Sequence, residues 1–158
     1  MKKIKTIVIC SSASFYKDLF PIQDTLKNFG YKVVLPATAN KMKRKNNFDV
    51  DSHKTWYKNP RDYHKKRTLM DKHFQKIIKG DAVLVTNFDK NGVKGYIGGN
   101  ALMEITIAYF YKKPIFILND IAADSPIKEE VYGINPVFLR GDLNYFSKLN
   151  TKAIGGLK

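Results

Sequence analysis

The feature that most constrains the fold is a repeated alternation. Short apolar runs rich in β-branched residues are separated by segments with helical periodicity, the pattern of an α/β domain on a parallel sheet. The runs are IKTIVIC (4–10), YKVVLP (31–36), DAVLVTN (81–87), PIFILN (114–119) and a shorter NPVFLRGD (135–142). They predict about five strands, and the near-continuous apolar character of 81–87 places that strand in the sheet interior. Between them, 14–30 reads as a helix with Leu19, Ile22, Leu26 and Phe29 on one face and Gly30 at its end. Pro21 inside it predicts a kink or a late start. Residues 60–80 read as a helix opened near Pro60 and closed by Gly80, and 100–113 as a helix with Asn100 as its N-cap. A last helix is expected over 143–149, followed by a frayed tail at 151–158. Residues 37–59 are polar, basic and unperiodic, and read as a mobile loop or an insertion. The expectation is one domain over 1–150: an open parallel sheet with helices on both faces, flavodoxin- or Rossmann-like.

Charge is unevenly spread over that frame. The net +14 arises as 19 basic against 6 acidic residues in 1–80 but 9 against 8 in 81–158. Much of the excess lies in NKMKRKNN (40–47) and HKKR (64–67). Such a surface attracts phosphate on a nucleotide, a nucleic acid or an acidic lipid, or is simply a solvated face. The single cysteine, Cys10, excludes an internal disulfide and a zinc cluster built from cysteines. No apolar run is long enough to span a bilayer. The opening MKKIKTIVICSS has the outline of a signal peptide, but its apolar part, Ile7 to Cys10, is too short and suits a buried first strand. These features lead to the expectation of a cytoplasmic protein with no membrane partner, metal or cofactor.

In an open parallel sheet, ligands bind beyond the carboxyl ends of the strands, which singles out loops 10–14, 36–60, 87–100 and 119–126. The first, CSSAS, carries Ser11 and Ser12 into a helix start whose free N–H groups can hold an anion, or whose serine is only a cap. Loop 87–99, NFDKNGVKGYIGG, has four glycines, so its backbone can approach a ligand closely; Asn87, Gly98, Gly99 and Asn100 are its candidate contacts. It matches neither the dinucleotide fingerprint nor the P-loop. Behind it, Glu104 is the one acid in a helix apolar on nearly all sides. A carboxylate there either compensates the helix dipole or, held ionised by the dipole and nearby N–H groups, serves as a nucleophile.

The strand DAVLVTN, the glycine-rich loop and GNALMEITIAYFYKKPIFIL together resemble the nucleoside 2-deoxyribosyltransferase family, which includes related deoxynucleotide N-glycoside hydrolases. The matching positions are Asp81, Gly99, Glu104, Ala108 and Lys113, and the likeness covers roughly 4–10 and 70–143. It implies that Glu104 attacks C1′ of a (deoxy)ribosyl group and expels the base, as a retaining glycosidase carboxylate does. Such a reaction needs a second acid for the leaving base. Where the family carries an aspartate eight residues before Asp81, this chain has His73, with Asp71 the nearest acid; Asp89 in the loop is the other candidate. Lys65, Lys66 and Arg67, on the half of helix 60–80 that points to the carboxyl edge of the sheet, would meet a 5′-phosphate, and Trp56 and Tyr57 would stack on a base. The resemblance also implies a homo-oligomer. Two alternatives remain: a non-catalytic module of the same fold that senses a nucleotide, and, ranked below it, a nucleic-acid binder working through 40–67.

Overall fold

A computed structural model of the chain describes residues 3–155, with side chains as far as Leu149. Five parallel strands form one sheet: β1 (Thr6–Ser11), β2 (Lys32–Val34), β3 (Ala82–Thr86), β4 (Ile115–Ile117) and β5 (Val137–Phe138), in the order β2-β1-β3-β4-β5. This is the flavodoxin-like order, with β3 interior as its apolar run predicts. Every residue of β3 is buried, because both sheet faces are covered.

Among the described residues the helices are α1 (Leu19–Asn28), α2 (Ala37–Lys45), α3 (Val50–His53), α4 (Tyr63–Lys79), α5 (Gly99–Phe110), α6 (Lys128–Gly133) and α7 (Asn144–Gly155), and all but α3, which buries no residue, contribute to that cover. The period-two alternation of β1 sorts the core into two halves. Ile7 and Ile9 pack with Leu19, Leu26, Ala39 and Phe146 on the α1, α2 and α7 side. Val8 and Cys10 pack with Ile77, Ile105, Ala108 and Val131 on the α4, α5 and α6 side. That second half is where the chemistry lies.

Several sequence expectations are resolved or corrected. At Pro21 the late start is what occurs: α1 begins at Leu19, after a 3-10 segment at Ala13–Asp18, which puts Pro21 in its first turn. Residues 37–59 are no loop: they form α2, α3 and a 3-10 turn at Thr55–Tyr57, anchored by the buried Ala39, Met42 and Trp56. Two apolar anchors, Ala39 and Met42, are enough to seat α2 while its outer face stays basic. The crossover from β4 to β5 contains α6, which the sequence pattern missed. The last helix runs to Gly155, over most of the expected tail; 156–158 lie outside the described residues. Among the described residues no helix is long and apolar enough to cross a membrane.

Two of the motif positions brace the amino edge of the sheet. Asp81 Oδ2 accepts from the backbone N–H groups of Lys5 (3.0 Å) and Thr6 (2.9 Å), tying the start of β3 to β1. Lys113 Nζ donates to the Gly80 carbonyl at 2.7 Å. Gly80 allows α4 to turn onto the sheet, since a Cβ there would meet Val8 Cγ2 at 2.6 Å.

Candidate functional site

The strand order reverses between β1 and β3, and a cavity of about 370 Å³ opens at the carboxyl end of that junction. Ser11 at the end of β1 and Ser12 after it line the cavity, Gly98 to Ala101 and Glu104 enter from the start of α5, and Lys66 and His73 reach it from α4. This is the crevice in which doubly wound sheets hold ligands.

The start of α5 sets the central group. Gly98 is the N-cap, so Asn100 is the second residue of the helix and not its cap. Freed from capping, its side chain turns inward: Nδ2 donates to Glu104 Oε1 at 2.6 Å, and Oδ1 accepts from Lys66 Nζ. Glu104 is 3% exposed, and its second oxygen, Oε2, has no hydrogen-bond partner among the described residues. One oxygen is therefore fixed and the other is buried without a hydrogen-bond partner.

The charge state differs from the sequence expectation. Burial pushes the Glu104 carboxyl up to about 8, although the Cys10 thiol, the Lys66 ammonium and Asn100 all pull the other way. The helix start does not hold it ionised; desolvation wins. Burial and then the charge of Lys76 push His73 down to about 4, against the Ile9 carbonyl that accepts from its Nε2 at 3.1 Å. Tyr16 is driven up by burial and by Glu104, and the wholly buried Cys10 thiol likewise by burial first. Lys66 is lowered by burial, with Glu104 opposing the shift.

Of the residues singled out from sequence, Glu104, His73, Ser11, Ser12, Gly98, Gly99, Asn100 and Lys66 are gathered around the cavity. The Ser11 hydroxyl, however, is directed at the Ser12 and Thr86 carbonyls, both at 3.3 Å. Five others lie elsewhere. Asp71 is exposed on α4 and does not line the cavity; Arg67, one position past Lys66, projects into solvent. Lys65 pairs with Asp62 at 2.9 Å. Asp89 accepts from the Gly95 N–H at 2.8 Å and lines a separate, shallow depression. Asn87 is a brace: Nδ2 donates to the Gly95 (3.2 Å) and Asn119 (2.8 Å) carbonyls, and Oδ1 accepts from Asn119 N–H at 2.9 Å. Gly95 adopts φ +57°, and a Cβ would stand 2.1 Å from the Asp120 carbonyl oxygen, so this loop needs glycine there.

Sequence reasoning missed Tyr16, Thr38, His53, Lys54, Lys90 and Tyr96, all of which line the cavity. Thr38, His53 and Lys54 belong to the segment expected to be a loop, and no periodic signal marks them. Lys54 and Lys90 stand over the rings of Tyr57 and Tyr96, at 5.2 and 4.9 Å from the centroids. Among the described lining residues, three lysines face a single acid, Glu104. The cavity is electropositive, with one buried carboxyl at its wall.

No known family model and no curated protein matches the chain.

Proposed function

We propose that the chain is a nucleoside 2-deoxyribosyltransferase-like enzyme that cleaves the N-glycosidic bond of a (deoxy)nucleoside or nucleotide with Glu104 as nucleophile. The observation that carries this reading is Glu104 in the cavity lining, with Oε1 held by Asn100 and Oε2 buried without a hydrogen-bond partner among the described residues. The sequence resemblance supports the same assignment. In the ionised form, Oε2 attacks C1′ while the C1′–N bond breaks and its electron pair leaves with the base, giving a glycosyl ester. Water or a second base then attacks C1′ and returns the carboxylate. Asn100, itself held by Lys66, orients the carboxylate through Oε1, so the attack needs little reorganisation. The lysine-lined cavity favours an anionic substrate, a nucleoside monophosphate over the free nucleoside. The protein is read as acting on a small molecule without a cofactor, and as a homo-oligomer by the same resemblance.

One observation favours the alternative of a non-catalytic nucleotide-binding module. None of the three candidate second acids is placed to protonate a leaving base: Asp71 and Asp89 lie outside the cavity lining, and His73 is held neutral. In the catalytic reading the proton comes from water or from a cationic lining group such as Lys54. The discriminating experiment incubates the protein with (deoxy)nucleosides and their monophosphates and follows free base. Release by the wild type and not by Glu104→Gln supports the enzyme; tight binding of a monophosphate with no release supports the module.

A further inference from the structure

Cys10 from β1, His73 from α4 and Glu104 from α5 bring a sulfur, a nitrogen and an oxygen within 4.8 Å of one another. All three residues are buried, at 0, 5 and 3% exposure. The glycosyl-transfer chemistry uses only the carboxylate and leaves the other two unexplained. Three different elements converge here because the alternation of β1 turns Cys10, between Ile9 and Ser11, toward the helices that carry the other two.

The hydrogen bonding of the cluster is incomplete in one particular way. His73 donates through Nε2 to Ile9, which leaves Nδ1 as a lone pair, and Nδ1 is buried with no partner among the described residues. Glu104 Oε2 is the second partnerless buried atom. Neither atom finds a hydrogen-bond partner in the other, and both are left desolvated and unpaired. A cation satisfies both. A carbonyl that fixes the tautomer of the imidazole is also the outer contact that ligating histidines ordinarily have.

We propose that Cys10, His73 and Glu104 form a binding site for a thiophilic divalent cation, zinc in the first instance. Occupancy blocks the carboxylate, an effect that rests on the catalytic reading above, whereas binding itself does not. A sulfur, nitrogen and oxygen set suits zinc over magnesium or calcium, and His73 and Glu104 face the cavity, leaving a fourth position for water. Metal–ligand bonds of about 2.0–2.3 Å require the three atoms to close up by roughly 1 Å. Zinc displaces the thiol proton, and the carboxyl proton where present, into solvent. Lys66 opposes the incoming charge, but Asn100 holds it on the Oε1 side and leaves Oε2 for the metal.

The test is a cobalt(II) titration of chelator-treated protein, followed by its absorption. The expected result is one cobalt per chain, with a strong near-ultraviolet thiolate-to-cobalt band that zinc abolishes by displacement. Cys10→Ser removes the band, with folding checked by circular dichroism, and His73→Ala weakens binding while leaving a thiolate band at higher cobalt. Absence of the band in the wild type, or an unchanged band in Cys10→Ser, overturns the site. Zinc that binds but leaves base release unaltered overturns the blocking effect alone. Metal-free protein that releases no base contradicts the catalytic reading and leaves the metal site standing.

Discussion

Nε2 of His73 lies 3.9 Å from Oε2 of Glu104, yet the two do not form an ion pair. The distance alone suggests one, but burial moves the two groups in opposite directions, the carboxyl up to about 8 and the imidazole down to about 4. Between those values both are neutral. Burial decides, because an isolated pair of charges at so little exposure loses more hydration than it regains at such a separation.

The first expectation is a pH dependence of stability in metal-free protein. Below its ordinary value of 4.5 the Glu104 carboxyl is protonated whether folded or not; above it only the folded state retains the proton, so stability falls with rising pH until about 8. His73 acts oppositely: its folded value lies below its ordinary 6.5, so its contribution falls as pH drops from there through about 4. Between pH 6.5 and 8 Glu104 acts without His73. Chemical denaturation across that window should show wild-type stability declining by a few kcal/mol at most, and Glu104→Gln should flatten the decline. A slope that survives in Glu104→Gln assigns it to another group.

A second expectation concerns α2. Met42 is wholly buried, and its truncation to Ala should destabilise the protein by about 2–5 kcal/mol in urea unfolding. Amides over 39–45 should be protected from exchange in the ligand-free protein. A mobile loop, as the bare sequence suggests, would show neither effect.

That contrast marks how much of the fold can be read from sequence. Strands 82–86 and 6–11 are legible because both faces of the sheet are covered, so their residues form continuous apolar runs. In α2, by contrast, Ala39 and Met42 are the buried residues of nine, and six polar or charged neighbours hide the period. At the site, Glu104 stands out as an acid in an apolar helix. The fates of Asn87, Asp89 and Arg67 do not, because whether a loop polar group faces a ligand or braces the backbone depends on φ angles and carbonyl positions that residue types leave open. Cys10 is in plain view but acquires meaning only once α4 and α5 are folded against it.

A third expectation follows from Lys66. Its ammonium lowers the Glu104 carboxyl and holds Asn100, so Lys66→Met should move the alkaline rise of base release to higher pH. Loss of a charge-assisted contact should also raise KM for a nucleoside monophosphate roughly 10- to 100-fold, with little change for the free nucleoside. Equal effects on both substrates would remove Lys66 from phosphate recognition.

The most direct measurement is base release by Glu104→Gln, assayed on the best monophosphate of the panel at pH 8 with chelator present. Gln keeps the shape and the Asn100 contact but has no anionic oxygen to trap C1′. The rate should fall roughly a thousandfold or more, with binding of the monophosphate retained. A Gln variant that releases base at close to the wild-type rate contradicts the nucleophile assignment and with it the glycosyl-transfer account.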